Sequence, residues 1–211
     1  MSVVVYGDFN CPYSYLACLR VDILVAAGID VEWRAVEHAP GLPVTGRRLD
    51  AAGGAQVEAE LNAVRELLTA GERLPTGALT SLPKTDAAIA GYSEAFGVGA
   101  AHDVRRLLFN AYWARGLDIG SPEVLRALLA PALKGSDSEA FSLRQSGYAV
   151  SANRGPITAA AYHRVNAWRD DWRRAQTQTT PTLVAKGVTF AGVEALDQLA
   201  RTVRAPSIAT A

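Results

Sequence analysis

The sequence predicts an α/β fold carrying an all-helical insertion, and three observations support this. A β-branched run near the start, Val3-Val4-Val5-Tyr6, leads through a short loop into a proline-initiated helical pattern and then an alternating segment. A second pair of strand-like runs, closed by a helical stretch, lies near the far end of the chain. The long stretch between them is punctuated by glycine and proline, and its regular segments have helical periodicity.

In chain order, Val3–Tyr6 reads as a buried strand and Gly7–Asn10 as a loop. Pro12 suits the first helical position, where its missing N–H costs nothing. Leu16, Leu19, Ile23 and Ala27 form a stripe at helical spacing, with Gly28 as C-cap. Ile29–Trp33 alternates as a second strand. From His38 to about Gly54, six glycines and prolines break any pattern, and a loop of that length is expected to border something functional. Helices are expected over Ala55–Ala70, Lys84–Phe96, Ala101–Arg115 and Pro122–Leu133, the last with Ser121 as N-cap. Ile157–Gln176 carries a further helical stripe that includes Trp168 and Trp172, read as packing residues. Thr179–Ala185 reads as a turn into a strand, Val188–Phe190 as its hairpin partner across Lys186-Gly187, Val193–Val203 as a closing helix, and the residues from Ala205 as a frayed tail. The expected organisation is one discontinuous domain, residues 1–37 and 151–211, interrupted by a loop plus helical insertion over 38–150.

Of the 211 residues 49% are hydrophobic and 20% charged, with a formal net charge of zero, so a polybasic role toward nucleic acid or membranes is not expected. The N-terminus shows neither a signal peptide nor a membrane span, which makes a cytoplasmic location the default expectation. The two cysteines, Cys11 and Cys18, would lie roughly 10 Å apart along one helix, beyond the roughly 7 Å Cα limit for a disulfide. The three histidines, His38, His102 and His163, lack metal-ligand spacing with either cysteine, so no metal is assigned.

Cys11 would stand at a helix N-terminus, where the macrodipole and unpaired N–H groups favour thiolate. Ser14, one turn on, has a hydroxyl that can donate to sulfur. A lowered Cys11 pKa and a reactive thiol are therefore expected, although a lone cysteine in isolation is more often a small buried hydrophobe. Cys18, in mid-helix, keeps that inert reading.

The run Asp8-Phe9-Asn10-Cys11-Pro12-Tyr13-Ser14-Tyr15-Leu16-Ala17, followed by a helical insertion and then Thr180-Pro181-Thr182, resembles the DsbA-like branch of the thioredoxin superfamily. Within that branch it is similar to 2-hydroxychromene-2-carboxylate isomerases and kappa-class glutathione transferases. These typically have Ser-Pro-Tyr-Ser at Cys11–Ser14, and they share a segment like Leu107–Trp113 with Asp118-Ile119 following. The resemblance implies a thioredoxin-like fold with a helical insertion. It also implies a cis peptide before Pro181, lying against Cys11 and presenting the Thr180 backbone to an extended thiol. Asn10, Pro12, Tyr13, Thr180, Pro181 and His38 become candidate binding residues around Cys11 and Ser14.

Two departures matter. Ser14 stands where disulfide oxidases carry a resolving cysteine, and a hydroxyl cannot form a disulfide. Cys11 stands where the isomerases and transferases carry serine. Three functions follow as expectations. The first is a monothiol oxidoreductase in which an external low-molecular-weight thiol, glutathione or another such as mycothiol, resolves the Cys11 adduct. The second is a thiol-dependent isomerase or transferase acting on a small electrophile, with His38 and Arg47-Arg48 supplying acid–base and carboxylate contacts. The third is a non-catalytic binding domain. No cofactor is expected to be tightly bound, and a homodimer is plausible by resemblance.

Overall fold

The computed structural model describes residues 3–175 and 177–204. The last residue of the long C-terminal helical stripe, Gln176, and the tail from Ala205 lie outside them.

β1 (Val3–Gly7), α1 (Pro12–Ala26) and β2 (Val31–Ala35) form a parallel β-α-β unit in which Val5 pairs with Trp33 and Gly7 with Ala35. β2 starts two residues later than its alternation suggests, because the parallel register carries it along β1 to Ala35. Pro12 occupies the first helical position after an extended Cys11 (φ −95°, ψ 120°), and the chain leaves α1 through Gly28 at φ +78°. The expected apolar stripe is only partly the packed face of α1. Leu16 is buried, but Ile23 and Ala27 are exposed while Ala17, Cys18, Val21 and Leu24 are buried. Several elements enclose the N-terminal half of α1, so a single 100° face does not describe its burial.

β5 (Thr182–Ala185) runs antiparallel to β1, and β6 (Val188–Ala191) antiparallel to β5, giving the sheet order β2-β1-β5-β6. Lys186 and Gly187 both adopt positive φ in the connecting turn, as a two-residue hairpin requires. α8 (Val193–Arg204) packs on α1 and β6. Buried Arg20 of α1 clamps this region. It forms a two-pronged ion pair with Glu72 (both N–O distances 2.8 Å) and donates to the carbonyls of Leu196 (2.9 Å) and Leu67 (2.7 Å).

Between β2 and β5 the chain is helical, with one addition that the sequence does not suggest. β3 (Arg47–Arg48) pairs with β4 (Ser81–Leu82) in a two-residue antiparallel ladder on either side of α2 (Ala51–Glu66). α2 starts four residues earlier than expected because Asp50 caps it, its Oδ1 accepting from Gly53 N at 2.8 Å. α3 (Asp86–Gly97) and α4 (Ala101–Phe109) follow, and the helix continues past α4 as a π-helical turn, Asn110–Ala114. Ser121 caps α5 (Pro122–Leu133) as its sequence implies, through Val124 N at 3.3 Å. The short α6 (Phe141–Ser146) was not foreseen, since six residues carry too little periodicity to read. In α7 (Ala159–Arg174) both tryptophans are buried: Trp168 meets Phe96 edge-on, and Trp172 Nε1 donates to Thr182 Oγ1 at the start of β5.

Candidate active site

The register of the central strands decides what faces Cys11. Tyr6 pairs with Thr182, so the residues before β5 run past the end of β1, where the loop to α1 begins. The Thr180–Pro181 peptide is cis. Cys11 Sγ donates to the Thr180 carbonyl at 3.4 Å, across 169 positions of sequence.

The Asp8–Asn10 loop is held from several sides. Cys11 N donates to Asp8 O (3.2 Å), Asp8 N to Ser14 Oγ (3.2 Å), Asn10 Nδ2 to Pro83 O (2.9 Å) and Trp113 Nε1 to Phe9 O (2.9 Å). The last two tie the loop to the insertion, and Trp113 belongs to the π-helical turn, an irregularity often found at functional positions.

Cys11 opens onto a cleft of about 540 Å³ between the two parts of the chain. The sheet side contributes Asn10, Pro12, Tyr13 and Thr180, and the insertion side contributes Arg47, Glu60 and Trp113. His38 also lines it. Two of the expected residues do not: Ser14 is fully buried beneath the loop, and Pro181 lies behind Thr180, its carbonyl accepting from Gly192 N at 2.8 Å. Two polar atoms of cleft residues, Asn10 Oδ1 and Thr180 Oγ1, are buried without a partner among the described residues.

The expectation of a lowered Cys11 pKa is not met. Cys11 is only 5% exposed, and burial pushes its thiol up more than its contacts with Thr180 and Ser14 pull it down, while the nearby Asp8 charge raises it further. The helix N-terminus is in place, but desolvation outweighs it. Cys18 is buried as expected, and burial pushes its thiol to about 12 against the opposing pull of Arg105. Both cysteines are free.

Asp8 is a site residue that sequence reasoning quoted only as part of the motif. It is fully buried, and its Oδ2 accepts from both the main-chain N (2.8 Å) and Nδ1 (2.7 Å) of His38. The parallel register of β1 and β2 brings these residues together, so only an explicit pairing of the two strands could have found them. Burial opposes charge on His38, but Asp8, Glu60 and Glu37 outweigh it and hold the imidazole pKa above its ordinary value.

No group of three or more His, Cys, Asp or Glu able to hold a metal occurs among the described residues, and no helix there is long and apolar enough to cross a membrane.

No curated protein matches the chain. Among solved structures it is similar to a probable DsbA oxidoreductase from Streptomyces coelicolor (17% identity, TM-score 0.65), covering 96% of this chain and 88% of that one. It is similar also to a 2-hydroxychromene-2-carboxylate isomerase (18%, TM-score 0.63), covering 96% and 94%. A third similarity is to the cytosolic disulfide reductase DsbM from Pseudomonas aeruginosa in a structure with GSH (15%, TM-score 0.62), covering 96% and 97%. At these identities the likeness shows the shared fold. The DSBA-like thioredoxin domain matches residues 2–204, nearly the whole chain, and on that match, with the thioredoxin-like sheet and helical insertion described above, the protein belongs to the DSBA-like thioredoxin family.

Proposed function

We propose that the protein is a thiol-handling enzyme whose cleft takes a low-molecular-weight thiol, glutathione by default, and in which Cys11 is the single nucleophile of thiol–disulfide exchange. The observation that carries this reading is the position of Cys11: at the start of α1, against the Thr180 carbonyl, at the foot of a cleft walled by both parts of the chain. Ser14 offers no second sulfur, and Cys18 is buried, so the adduct must be resolved from outside.

The Cys11 sulfur, once its proton is lost, attacks a disulfide. One S–S bond breaks as the Cys11–S bond forms, and the departing thiolate takes up a proton. A low-molecular-weight thiol then attacks the mixed disulfide and releases Cys11 as a thiol. Over the cycle the disulfide RSSR and one thiol R'SH become the thiol RSH and the disulfide RSSR', so one sulfur partner is exchanged and electrons balance without a further oxidant. A DsbM structure holds GSH, which makes glutathione the first co-substrate to try.

The raised Cys11 pKa supports a second reading, a thiol-dependent isomerase or transferase. There Cys11 keeps its proton and donates a hydrogen bond to the sulfur of the bound thiol, as a serine hydroxyl would.

Incubation with glutathione disulfide followed by intact-mass measurement tests the first reading. The expected result is one glutathionyl adduct that is absent in Cys11→Ser, kept in Cys18→Ser and removed by excess glutathione. No adduct, with glutathione binding kept, would overturn exchange in favour of the second reading. Neither adduct nor binding would leave a non-catalytic domain.

A further inference from the structure

Resting on that reading, a further question is where the Cys11 proton goes. The thiol is nearly closed to solvent, and the Ser14 hydroxyl, fully buried beneath the loop, accepts from Asp8 N. Among the residues lining the cleft, His38 is the one imidazole, the side chain whose ordinary pKa lies nearest neutrality.

His38 is not a loose loop histidine. Its main-chain N–H and its Nδ1 are both tied to Oδ2 of Asp8, which is fully buried. Val36 N donates to Gly7 O at 3.0 Å and so continues the β1–β2 ladder up to this pair. With Nδ1 committed as donor to a carboxylate, Nε2 is the ring nitrogen left for a partner in the cleft. An ionised carboxylate holding the Nδ1–H of a cleft histidine fixes its tautomer and makes Nε2 the stronger base.

We infer that His38 is the acid–base residue of the exchange and that Asp8 is its positioning residue. In the first half-reaction Nε2 takes the proton that leaves Cys11 as its sulfur attacks, and returns it to the departing thiolate as the S–S bond breaks. The incoming low-molecular-weight thiol gives up its proton to the same nitrogen in the second half, and Cys11 receives it on release. No proton or electron is gained or lost over the cycle. The charged groups facing the imidazole are Asp8 from the β1–α1 loop, Glu60 from α2 and Glu37 from its own loop, with Arg47 in the same cleft. All three carboxylates favour the imidazolium.

The test is the pH–rate profile of glutathione disulfide exchange in the wild type, His38→Gln and Asp8→Asn. In the wild type the rate should fall as pH drops through a histidine pKa above the ordinary value. His38→Gln should lose that limb and about a hundredfold in rate, while Asp8→Asn should keep a limb but displace it to lower pH. NMR titration of the His38 ring in wild type and Asp8→Asn reads the same displacement without activity, and a fall in its pKa in the variant supports the pairing. An unchanged rate and profile in His38→Gln, with the wild type active, would overturn the inference and leave the exchange reading intact. A wild type that forms no Cys11 adduct would sink both.

Discussion

Trp113 Nε1 donates to the carbonyl of Phe9 at 2.9 Å, joining the π-helical turn of the insertion to the loop that delivers Cys11. The indole also stacks on Tyr15 (centroids 5.9 Å apart, planes within 8°), so one side chain holds both the loop before the cysteine and the first turn after it. Removing the donor while keeping an aromatic ring isolates the hydrogen bond. Trp113→Phe is expected to leave the Phe9 carbonyl without its partner, cost about 1–3 kcal/mol in urea unfolding, and quicken alkylation of Cys11 as the loop loosens. A stability loss with no change in alkylation would show that the loop is held by its other bonds.

The Cys11 thiol is expected to ionise above its ordinary value of 9.0, because burial outweighs the pull of Thr180 and Ser14. Iodoacetamide alkylation should therefore keep rising beyond pH 9.0 in the wild type and in Cys18→Ser, and vanish in Cys11→Ser. Cys18, held near 12, should stay unmodified in the folded protein across that range. An alkylation midpoint near neutrality would mean that the helix N-terminus prevails over desolvation after all.

The Arg20–Glu72 pair is expected to dominate the joint between α1, α8 and the chain beyond α2. The two side chains are 1% and 8% exposed, and breaking such a pair from one side leaves a buried charge uncompensated. Arg20→Met should cost about 3–5 kcal/mol, and adding Glu72→Gln should restore part of it. Equal losses in the single and double variants would mean that packing and the bonds to Leu196 and Leu67 matter more than charge.

The same pair should show in acid. Burial pushes the Glu72 carboxyl up, but the Arg20 guanidinium and the Thr69 N–H outweigh it and hold the pKa below the ordinary 4.5. A lowered folded value stabilises fully above the unfolded pKa and is lost as pH falls through the folded one. Unfolding midpoints should therefore drop below about pH 4.5, more steeply in the wild type than in Glu72→Gln. Parallel acid limbs would remove Glu72 from the account.

Gly7 ends β1 directly beneath the site, and a methyl group there would stand 2.7 Å from Cη2 of Trp33 and 3.2 Å from Ser14 Oγ. Gly7→Ala is expected to cost about 1–3 kcal/mol through forced repacking and to disturb Ser14 under Cys11. A variant with wild-type stability would show that the indole can shift without cost.

Much of this molecule is written locally. The valine run, the proline after Cys11, the Ser121 cap and the turn at Lys186-Gly187 act over a few residues, so periodicity and backbone preference suffice to read β1, α1, α5 and the C-terminal hairpin. The short ladder of Arg47–Arg48 with Ser81–Leu82 and the six-residue α6 escaped because two to six residues carry no period.

The site divides in the same way. Sequence alone determined that a single cysteine precedes a proline-started helix, that the position three residues on is a serine, and that a Thr-Pro precedes the last strand pair. It could not determine the ionisation of that cysteine or the company it keeps. The antiparallel register of Tyr6 with Thr182 brings Thr180 to Cys11, and the parallel register of Gly7 with Ala35 brings His38 to Asp8. The insertion, through Pro83 and Trp113, closes over the loop. Helix position favours thiolate from local geometry, but desolvation depends on every element packed around the sulfur, and only the tertiary structure sums those contributions.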